Sequence, residues 1–403
     1  ACLPEDFNSD GSVDYVVWPD EGLSGIGGGV RWMKANNAIY ESEGTIVING
    51  GNIRARGQDR ASAIGGTFQD HAGVDSSGYS SEKRLGGSIT INGGIVRTEA
   101  ITRGNAITAF SVGIGSCCSG YGGSVTINGG TVIANAASSA ISTGWDGSIT
   151  INGGTVTATG GINNFAVEKY ALILGNGIGP YWTGTVTVNG GKIKASTAGQ
   201  GSGIGGSRSP AKVIINGGDI EAVANQYGTG QNGTEPISTA GIGGVGSVSI
   251  TGGRISATGN GGAAGIGGDA SVSITGGEIT VSATGTGAAI GGAAGEDCGS
   301  IHIQGDVLKS VSSVNGACIG AANGKGSGNI TIANVKLSSL SGKYILIGWE
   351  ADSPESQLTI QNCRITSTDA DTSSSADGIR AGKNSSILIE ASEVKLPQKS
   401  CVR

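Results

Sequence analysis

The sequence predicts an all-β fold, a right-handed parallel β-helix (solenoid) of about a dozen coils with long loop insertions on one side. Three observations carry this prediction. One short phrase returns along the chain at a period of roughly 24 to 37 residues, which indicates a repeat architecture. Within each copy, apolar and polar residues alternate as they do in strands. Pairs of glycines, from the 78 in the chain, separate the alternating runs.

The phrase begins with a strand in which Ile or Val alternates with Ser or Thr. Its clearest copy runs Ser247-Val-Ser-Ile-Thr-Gly-Gly253. Because β-branched residues favour strands and side chains alternate across them, we expect the apolar residues to face a core and the hydroxyls to face solvent. Six copies end in Asn-Gly-Gly, since glycine and Asn tolerate the left-handed backbone that tight turns need.

A second alternating strand and a Gly-Ile-Gly segment complete each copy. In the same copy the Gly-Ile-Gly segment is Gly265-Ile-Gly-Gly268. An array of β-hairpins is the competing fold for strand-turn-strand repeats. A β-helix with three faces is favoured by the three apolar segments per repeat, by Ile at the inward positions and by insertions that share one position. At about 4.8 Å per coil, a dozen coils make a rod about 60 Å long.

Stacked coils would bring the turn asparagines into one column. We interpret this column as a structural ladder of amides rather than a ligand site. Its members are Asn49, Asn92, Asn128, Asn152, Asn189 and Asn216.

Composition and charge exclude several classes of partner. The formal net charge is -6 and no basic run interleaves with aromatic residues, so we expect no nucleic-acid partner. No apolar run approaches the roughly 18 residues of a membrane span. The start at Ala1-Cys2 without methionine is typical of a processed secreted protein, and we expect an extracellular or cell-surface location. The cysteine count of 7 is odd, which allows self-association through Cys2 or Cys401.

We divide the chain into an N-terminal acidic cap (1–22), the β-helix (23–393) and a C-terminal tail or cap (394–403). The cap spaces oxygen-bearing side chains as a calcium loop does, and it resembles the loops of EF-hands and dockerins. The expected calcium ligands are Asp6, Asn8, Asp10, Ser12 and Asp14. The pattern departs from those families at its twelfth position, where Val17 replaces the acidic ligand. The alternative is a solvated acidic tail.

The repeat as a whole resembles the Ile-Asn-Gly-Gly and Gly-Ile-Gly-Gly arrays of bacterial extracellular β-helix proteins. Many of those proteins are surface adhesins or carbohydrate-binding modules. The resemblance covers nearly the whole chain, and its motifs are structural. It therefore implies a binding or scaffolding role and no shared catalytic residue.

Four insertions interrupt the repeat at 57–87, 98–123, 159–184 and 223–246, and they carry most of the aromatic residues. Aromatic rings beside Asn, Asp and Gln form platforms for sugar rings. The alternative is that the rings only attach the loops to the rod. The expected binding residues for an extracellular polysaccharide or a cell-surface glycan are Tyr121, Tyr170, Tyr181, Trp182 and Tyr227.

Three other functions stay open. A polysaccharide lyase or glycoside hydrolase would need clustered acids or a base in the insertions. The catalytic candidates are Asp70, His71 and Asp75, with Asp59, Glu99, Arg103, Glu168 and Lys169 as further charged residues. His302, at an outward strand position, is interpreted as a surface residue. The chain could also be a filament subunit, or an ice-binding protein that uses its outward Ser and Thr columns. The sequence favours binding over catalysis.

Overall fold

The structure is a computed structural model that describes residues 25–27, 44–58, 61–66, 85–101, 111–116, 121–162, 175–225, 238–351, 356–368 and 377–395. The described residues form strands joined by tight turns. In chain order the strands are β1 (Thr45–Ile48), β2 (Asn52–Gln58), β3 (Ser62–Gly65), β4 (Leu85–Ile91), β5 (Ile95–Ile101), β6 (Val112–Gly115), β7 (Tyr121–Ile127), β8 (Thr131–Ala136), β9 (Ile141–Ser142), β10 (Gly147–Ile151), β11 (Thr155–Gly160), β12 (Gly184–Val188), β13 (Lys192–Gln200), β14 (Ile204–Ile215), β15 (Asp219–Asn225), β16 (Ala240–Asn260), β17 (Ala264–Ala283), β18 (Ile290–Gly291), β19 (Ile301–Gln304), β20 (Leu308–Ser313), β21 (Ala317–Gly320), β22 (Ile330–Ala333), β23 (Lys336–Gly342), β24 (Ile345–Gly348), β25 (Gln357–Gln361), β26 (Arg364–Ser367), β27 (Asp377–Arg380), β28 (Ser386–Glu390) and β29 (Glu393–Lys395).

Each strand pairs in parallel with the equivalent strand one coil further along the chain. The first strand of a coil pairs with the next first strand, as β1 does with β4. The second strand pairs with the next second strand, as β2 does with β5. The third strand, which holds Gly-Ile-Gly or a variant of it such as Ala63-Ile-Gly65, does the same, as β3 does with β6. The prediction of an all-β parallel β-helix is confirmed.

One isoleucine from every coil forms a continuous column through the core. Each member pairs in register with the next. All except Ile26 are fully buried. The column consists of Ile26, Ile64, Ile114, Ile141, Ile178, Ile204, Ile242, Ile266, Ile290, Ile319, Ile347 and Ile379. The predicted dozen coils are therefore present.

Glycines beside this column are required by the close approach of neighbouring coils. Gly115 has a φ of 118°, and a Cβ at this position would lie 1.7 Å from the carbonyl oxygen of Ser142. In the turn between first and second strands, Gly94 has a φ of 86°, and its Cβ would lie 2.5 Å from the Gly51 oxygen. A side chain at either position would both strain the backbone and push the coils apart.

The turn asparagines form the predicted ladder of amides. The Asn92 Nδ2 donates to Asn49 Oδ1 at 2.8 Å, and the four remaining steps are 2.7 to 2.8 Å long. At the upper end, the Thr251 hydroxyl donates to Asn216 Oδ1 at 3.0 Å and so continues the ladder in the next coil. The repeated Asn therefore has a structural role.

Two outward faces of the rod differ in chemistry. On the first strands, Thr90, Thr126 and Thr150 stack in one predicted hydroxyl column. Further along the rod Ile214 occupies this position and interrupts the column, which resumes at Ser249 in the next coil. On the second strands, charged residues pair between coils instead, as Lys194 Nζ does with Glu221 at 2.9 Å.

The structure corrects the prediction that all insertions share one position. Each predicted insertion contains the third paired segment of a coil, which is a strand such as β3 within 57–87 or, at Ile178 within 159–184, an isolated bridge. In sequence, the residues that the structure does not describe lie on both sides of the third segment of a coil. Residues 102–110, 163–174 and 226–237 precede a third strand, whereas 67–84 follows one.

Candidate functional site

Three aromatic side chains cluster on neighbouring coils, where the chain turns from a third strand into a first strand. The rings of Trp145 and Trp182 stack, with centroids 4.7 Å apart and planes 12° apart. The ring of Tyr181 meets Trp182 edge-on, at 5.1 Å and 83°. All three side chains are half-buried. Trp145, Tyr181 and Trp182 are called the aromatic corner below.

Buried hydrogen bonds hold the backbone of this corner. Asn176 is buried, and its Nδ2 donates to the carbonyl oxygen of Pro180 at 3.2 Å. Its Oδ1 accepts from the backbone N–H of Ser202 at 3.0 Å. The Tyr181 N–H donates to the Thr143 oxygen of the preceding coil at 3.0 Å. The two rings are thus carried by a turn that is anchored to the coil on either side.

A carboxylate and a hydroxyl flank the rings. The Thr183 hydroxyl donates to Asp146 Oδ1 at 2.6 Å, and the Asp146 N–H donates to the Thr183 carbonyl oxygen at 2.8 Å. Asp146 has a φ of 53°, in the left-handed region that Asp tolerates better than most residues. These contacts hold the exposed carboxylate of Asp146, the residue after Trp145, against Thr183, the residue after Trp182.

The register shows that the corner belongs to a column of aromatic positions. Ser124, Ser148 and Thr185 are equivalent in consecutive first strands. The residues three places before them are Tyr121, Trp145 and Trp182. Tyr121 pairs with Leu85 of the preceding coil. Its side chain lies outside the described residues.

The structure brings together two of the five predicted binding residues, Tyr181 and Trp182. They lie in a corner of the coil itself, not in an insertion. Trp145 was not predicted, although the spacing of aromatic residues before Ser124, Ser148 and Thr185 would have found it. Tyr170 and Tyr227 lie outside the described residues.

Aromatic rings with fixed polar neighbours can bind the apolar face of a sugar ring and hydrogen-bond its hydroxyls. The corner offers both features on the rod surface, namely indole and phenol rings and the Asp146 carboxylate. Because the aromatic positions follow one another from coil to coil, they run along the rod axis. This arrangement suits an extended ligand.

The remaining predicted site residues are not brought into a site. Asp70, His71 and Asp75 lie outside the described residues, as do Asp59, Arg103, Glu168 and Lys169. So do the expected calcium ligands Asp6, Asn8, Asp10, Ser12 and Asp14, and the cysteines Cys2 and Cys401.

Two further sequence interpretations have structural answers. Glu99, considered as a catalytic acid in an insertion, lies on β5, where Arg56 Nε binds it at 2.8 Å. Its predicted place in an insertion was therefore wrong, and the ion pair joins two coils. His302 is exposed and pairs with Ser273 and Thr331, so its interpretation as a surface residue is confirmed.

A carboxylate pair that the sequence did not single out lies near a buried thiol. Burial, and then the charge of Asp297, raise the pKa of Asp269. Burial raises the pKa of the Cys298 thiol to about 12, against a smaller opposing effect from its hydrogen bond with Ser327. Cys298 is therefore a neutral core residue, not a nucleophile. Among the described residues, no three His, Cys, Asp or Glu side chains lie together as a metal site.

The chain is similar to a known repeat family. A family model described as "Beta helix repeat" matches residues 46–68, 125–145, 149–179 and 186–208. Each match begins in a first strand and reaches the following third strand, so it spans one coil of the structure. Fold and match together define a parallel β-helix repeat protein. A comparison with curated proteins found no match. A comparison with solved structures found none either.

The described part of the chain has no helix long and apolar enough to cross a membrane.

Proposed function

We propose that this β-helix is an extracellular or cell-surface protein that binds a polysaccharide through the aromatic corner. The observation that carries the proposal is the stacked pair Trp145 and Trp182 with Tyr181 against it. Half-buried rings on a rigid backbone lose little conformational freedom on binding, which favours affinity. The β-helix would act as a scaffold that presents the corner.

A polysaccharide fits the corner better than a small apolar ligand. A small apolar ligand is usually bound in a concave site that buries most of its surface. The aromatic corner instead lies on the outside of a rod, and its column of positions runs from coil to coil. A polymer compensates for shallow contacts because it makes several of them along its length.

The test compares retention of polysaccharides on a glycan array by the intact protein and by three variants. Trp182→Ala removes the central ring of the corner, and we expect at least about a tenfold loss of binding, as for other aromatic anchors. Trp182→Phe keeps an aromatic face and should retain part of the affinity. His302→Ala, on an exposed strand position elsewhere on the rod, is the matched control and should bind normally.

Two outcomes would contradict different parts of the proposal. Unchanged binding by Trp182→Ala would show that the aromatic corner is not the binding site. Absence of binding by the intact protein to any polysaccharide would contradict the proposed function itself. The same polysaccharides should be assayed for reducing sugar and unsaturated product, because their release would favour the enzyme alternative.

A further inference from the structure

The carboxylate at the aromatic corner differs from many others on the rod in having no basic partner. On the second strands, several acids are paired with a base of the neighbouring coil, as Glu221 is with Lys194 and Glu393 with Arg364. Asp146 is exposed, and it forms no ion pair with any of the described residues. The rod therefore leaves a negative charge uncompensated beside its stacked rings.

The Asp146 carboxylate is held by one oxygen only. Its Oδ1 accepts from the Thr183 hydroxyl at 2.6 Å. Within the described residues, Oδ2 accepts no hydrogen bond. A charged acceptor whose position is fixed by its neighbour loses little freedom when a donor binds to it. The second oxygen is thus available to a ligand that carries N–H or O–H groups.

The rings of the aromatic corner favour a positive charge at the same place. The face of an indole or phenol ring carries partial negative charge, and it attracts a cation that lies within about 6 Å of the ring centroid. Trp145 and Trp182 stack at 4.7 Å, and the plane of Tyr181 is turned by 83° from that of Trp182. Three rings and one carboxylate therefore act on a ligand cation in the same direction, whereas a neutral sugar would use the rings alone.

A second exposed carboxylate occupies the equivalent position further along the rod. Asp146 and Asp269 each lie two residues before a member of one series of equivalent first-strand residues. The series from one to the other is Ser148, Thr185, Lys212, Ser247 and Ser271. Four coils at about 4.8 Å each place Asp269 about 19 Å from Asp146 along the rod axis.

The next coil adds a further carboxylate to this corner. Asp297 is exposed and lies three residues before Ser300, the position that Trp182 has in its own coil. Burial, and then the charge of Asp297, raise the pKa of Asp269, so the two carboxylates repel each other. Within the described residues, neither forms an ion pair. A cation between them would relieve the repulsion.

Acids outnumber bases along this corner. We consider the four residues that precede each member of the series, from the coil of Trp145 to that of Asp297. The acids among them are Asp146, Asp269, Glu296 and Asp297, and the base is Arg208. Arg208 lies in the coil after Trp182, and its side chain lies outside the described residues. The formal net charge of the whole chain, -6, adds a long-range attraction for a polymer of positive charge.

From these features we propose that the polysaccharide bound at the aromatic corner carries ammonium groups, as a polymer of glucosamine does. The inference deepens the function proposed above and rests on it. One ammonium group would lie against the rings and donate to Asp146 Oδ2. Further ammonium groups of the same polymer would reach Asp269 and Asp297.

The test compares two oligosaccharides of equal length, one of glucosamine and one of N-acetylglucosamine, by isothermal titration calorimetry. The pH is chosen so that the amino groups of glucosamine are protonated. Acetylation removes the charge and leaves the sugar rings and their linkage unchanged. We expect the intact protein to bind the glucosamine oligomer at least about tenfold more tightly, because a cation between rings and a carboxylate gains from both.

Asp146→Asn removes the charge and keeps the local structure. An amide oxygen still accepts from Thr183, and Asn tolerates the left-handed backbone of this position. The variant should lose most of the tenfold preference and bind the N-acetylglucosamine oligomer like the wild type. Asp219→Asn is the matched control, because it removes an equal charge from an exposed position on a second strand. Its preference should be that of the wild type.

Chain length tests the carboxylates further along the rod. Changing both Asp269 and Asp297 to Asn should weaken binding of long glucosamine oligomers, which reach from the aromatic corner to these residues. It should leave binding of a glucosamine dimer unchanged, because a dimer is too short to reach them.

The outcomes separate this inference from the function on which it rests. Binding of both oligomers with equal affinity, lost in Trp182→Ala, would overturn the ammonium inference and leave the proposed function standing. Equal losses in Asp146→Asn and Asp219→Asn would also overturn the inference, because the attraction would then be to the overall charge of the rod. If the intact protein binds no polysaccharide, both proposals fail.

Discussion

At the scale of single residues, each amide of the asparagine ladder is held by its equivalents in the neighbouring coils. Asn49 and its equivalents were expected to stack, and the ladder distances confirm it. The prediction succeeds because a column needs only the period of the repeat and the pairing of equivalent strands. Trp145 was missed for the opposite reason. Its meaning depends on a neighbour 37 residues away, Trp182, and appears only when the two coils are aligned.

The burial of Cys298 has a consequence for the pH dependence of stability. Folding raises the pKa of this thiol from 9.0 to about 12. A raised pKa means that the neutral form is favoured in the folded state, so the contribution to stability is complete below pH 9.0 and is lost as the pH rises toward about 12.

We therefore expect Cys298 to resist alkylation at pH 8 in the folded protein and to react once the chain is unfolded in denaturant. Mass spectrometry of the peptides locates the label and separates Cys298 from the other cysteines. Rapid labelling of Cys298 in the folded protein would show that the thiol is accessible and that its pKa is not raised.

At the scale of elements, the third strand tolerates side chains least, because neighbouring coils approach each other most closely there. Replacing Gly115 by Ala would place a methyl group 1.7 Å from the Ser142 oxygen, at a φ of 118°. We expect Gly115→Ala to lower the free energy of unfolding by about 3 kcal/mol, because steric overlap adds to backbone strain. Chemical denaturation followed by circular dichroism measures the change.

The matched control is Gly50→Ala, because a Cβ on Gly50 meets nothing within 4 Å. Its effect should stay within about 0.5 kcal/mol, the usual range for surface changes. Equal stability of the two variants would mean that the coils can move apart at the third strand without loss.

The turns of the repeat could be predicted, whereas the positions of the insertions could be predicted only in part. Turn residues follow from local backbone preferences, so Asn-Gly-Gly predicts a turn even in a single copy of the repeat. An insertion is defined by the strands that it separates, and the short third strands, such as β9 at Ile141–Ser142, are too brief to stand out. The sequence analysis therefore treated the positions before and after the third strand as one insertion position. For the same reason it assigned Tyr181 and Trp182 to a loop.

At the scale of the whole molecule, stability should vary along the rod. In a solenoid each coil contacts only its neighbours, so a coil with neighbours on both sides is held more firmly than one at an end. In the middle, β17 pairs with β16 on one side and with β18, β19 and β20 on the other. Its core residue Ile274 is fully buried, whereas Ile389 of β28 is 38% exposed.

Hydrogen exchange followed by mass spectrometry should reveal this gradient. In dilute protein, we expect the amides of β28 and β29 to exchange at least about tenfold faster than those of β17, because local opening starts where the fewest contacts hold the chain. Uniform protection along the rod in dilute protein would mean instead that the end segments of the chain cover both ends.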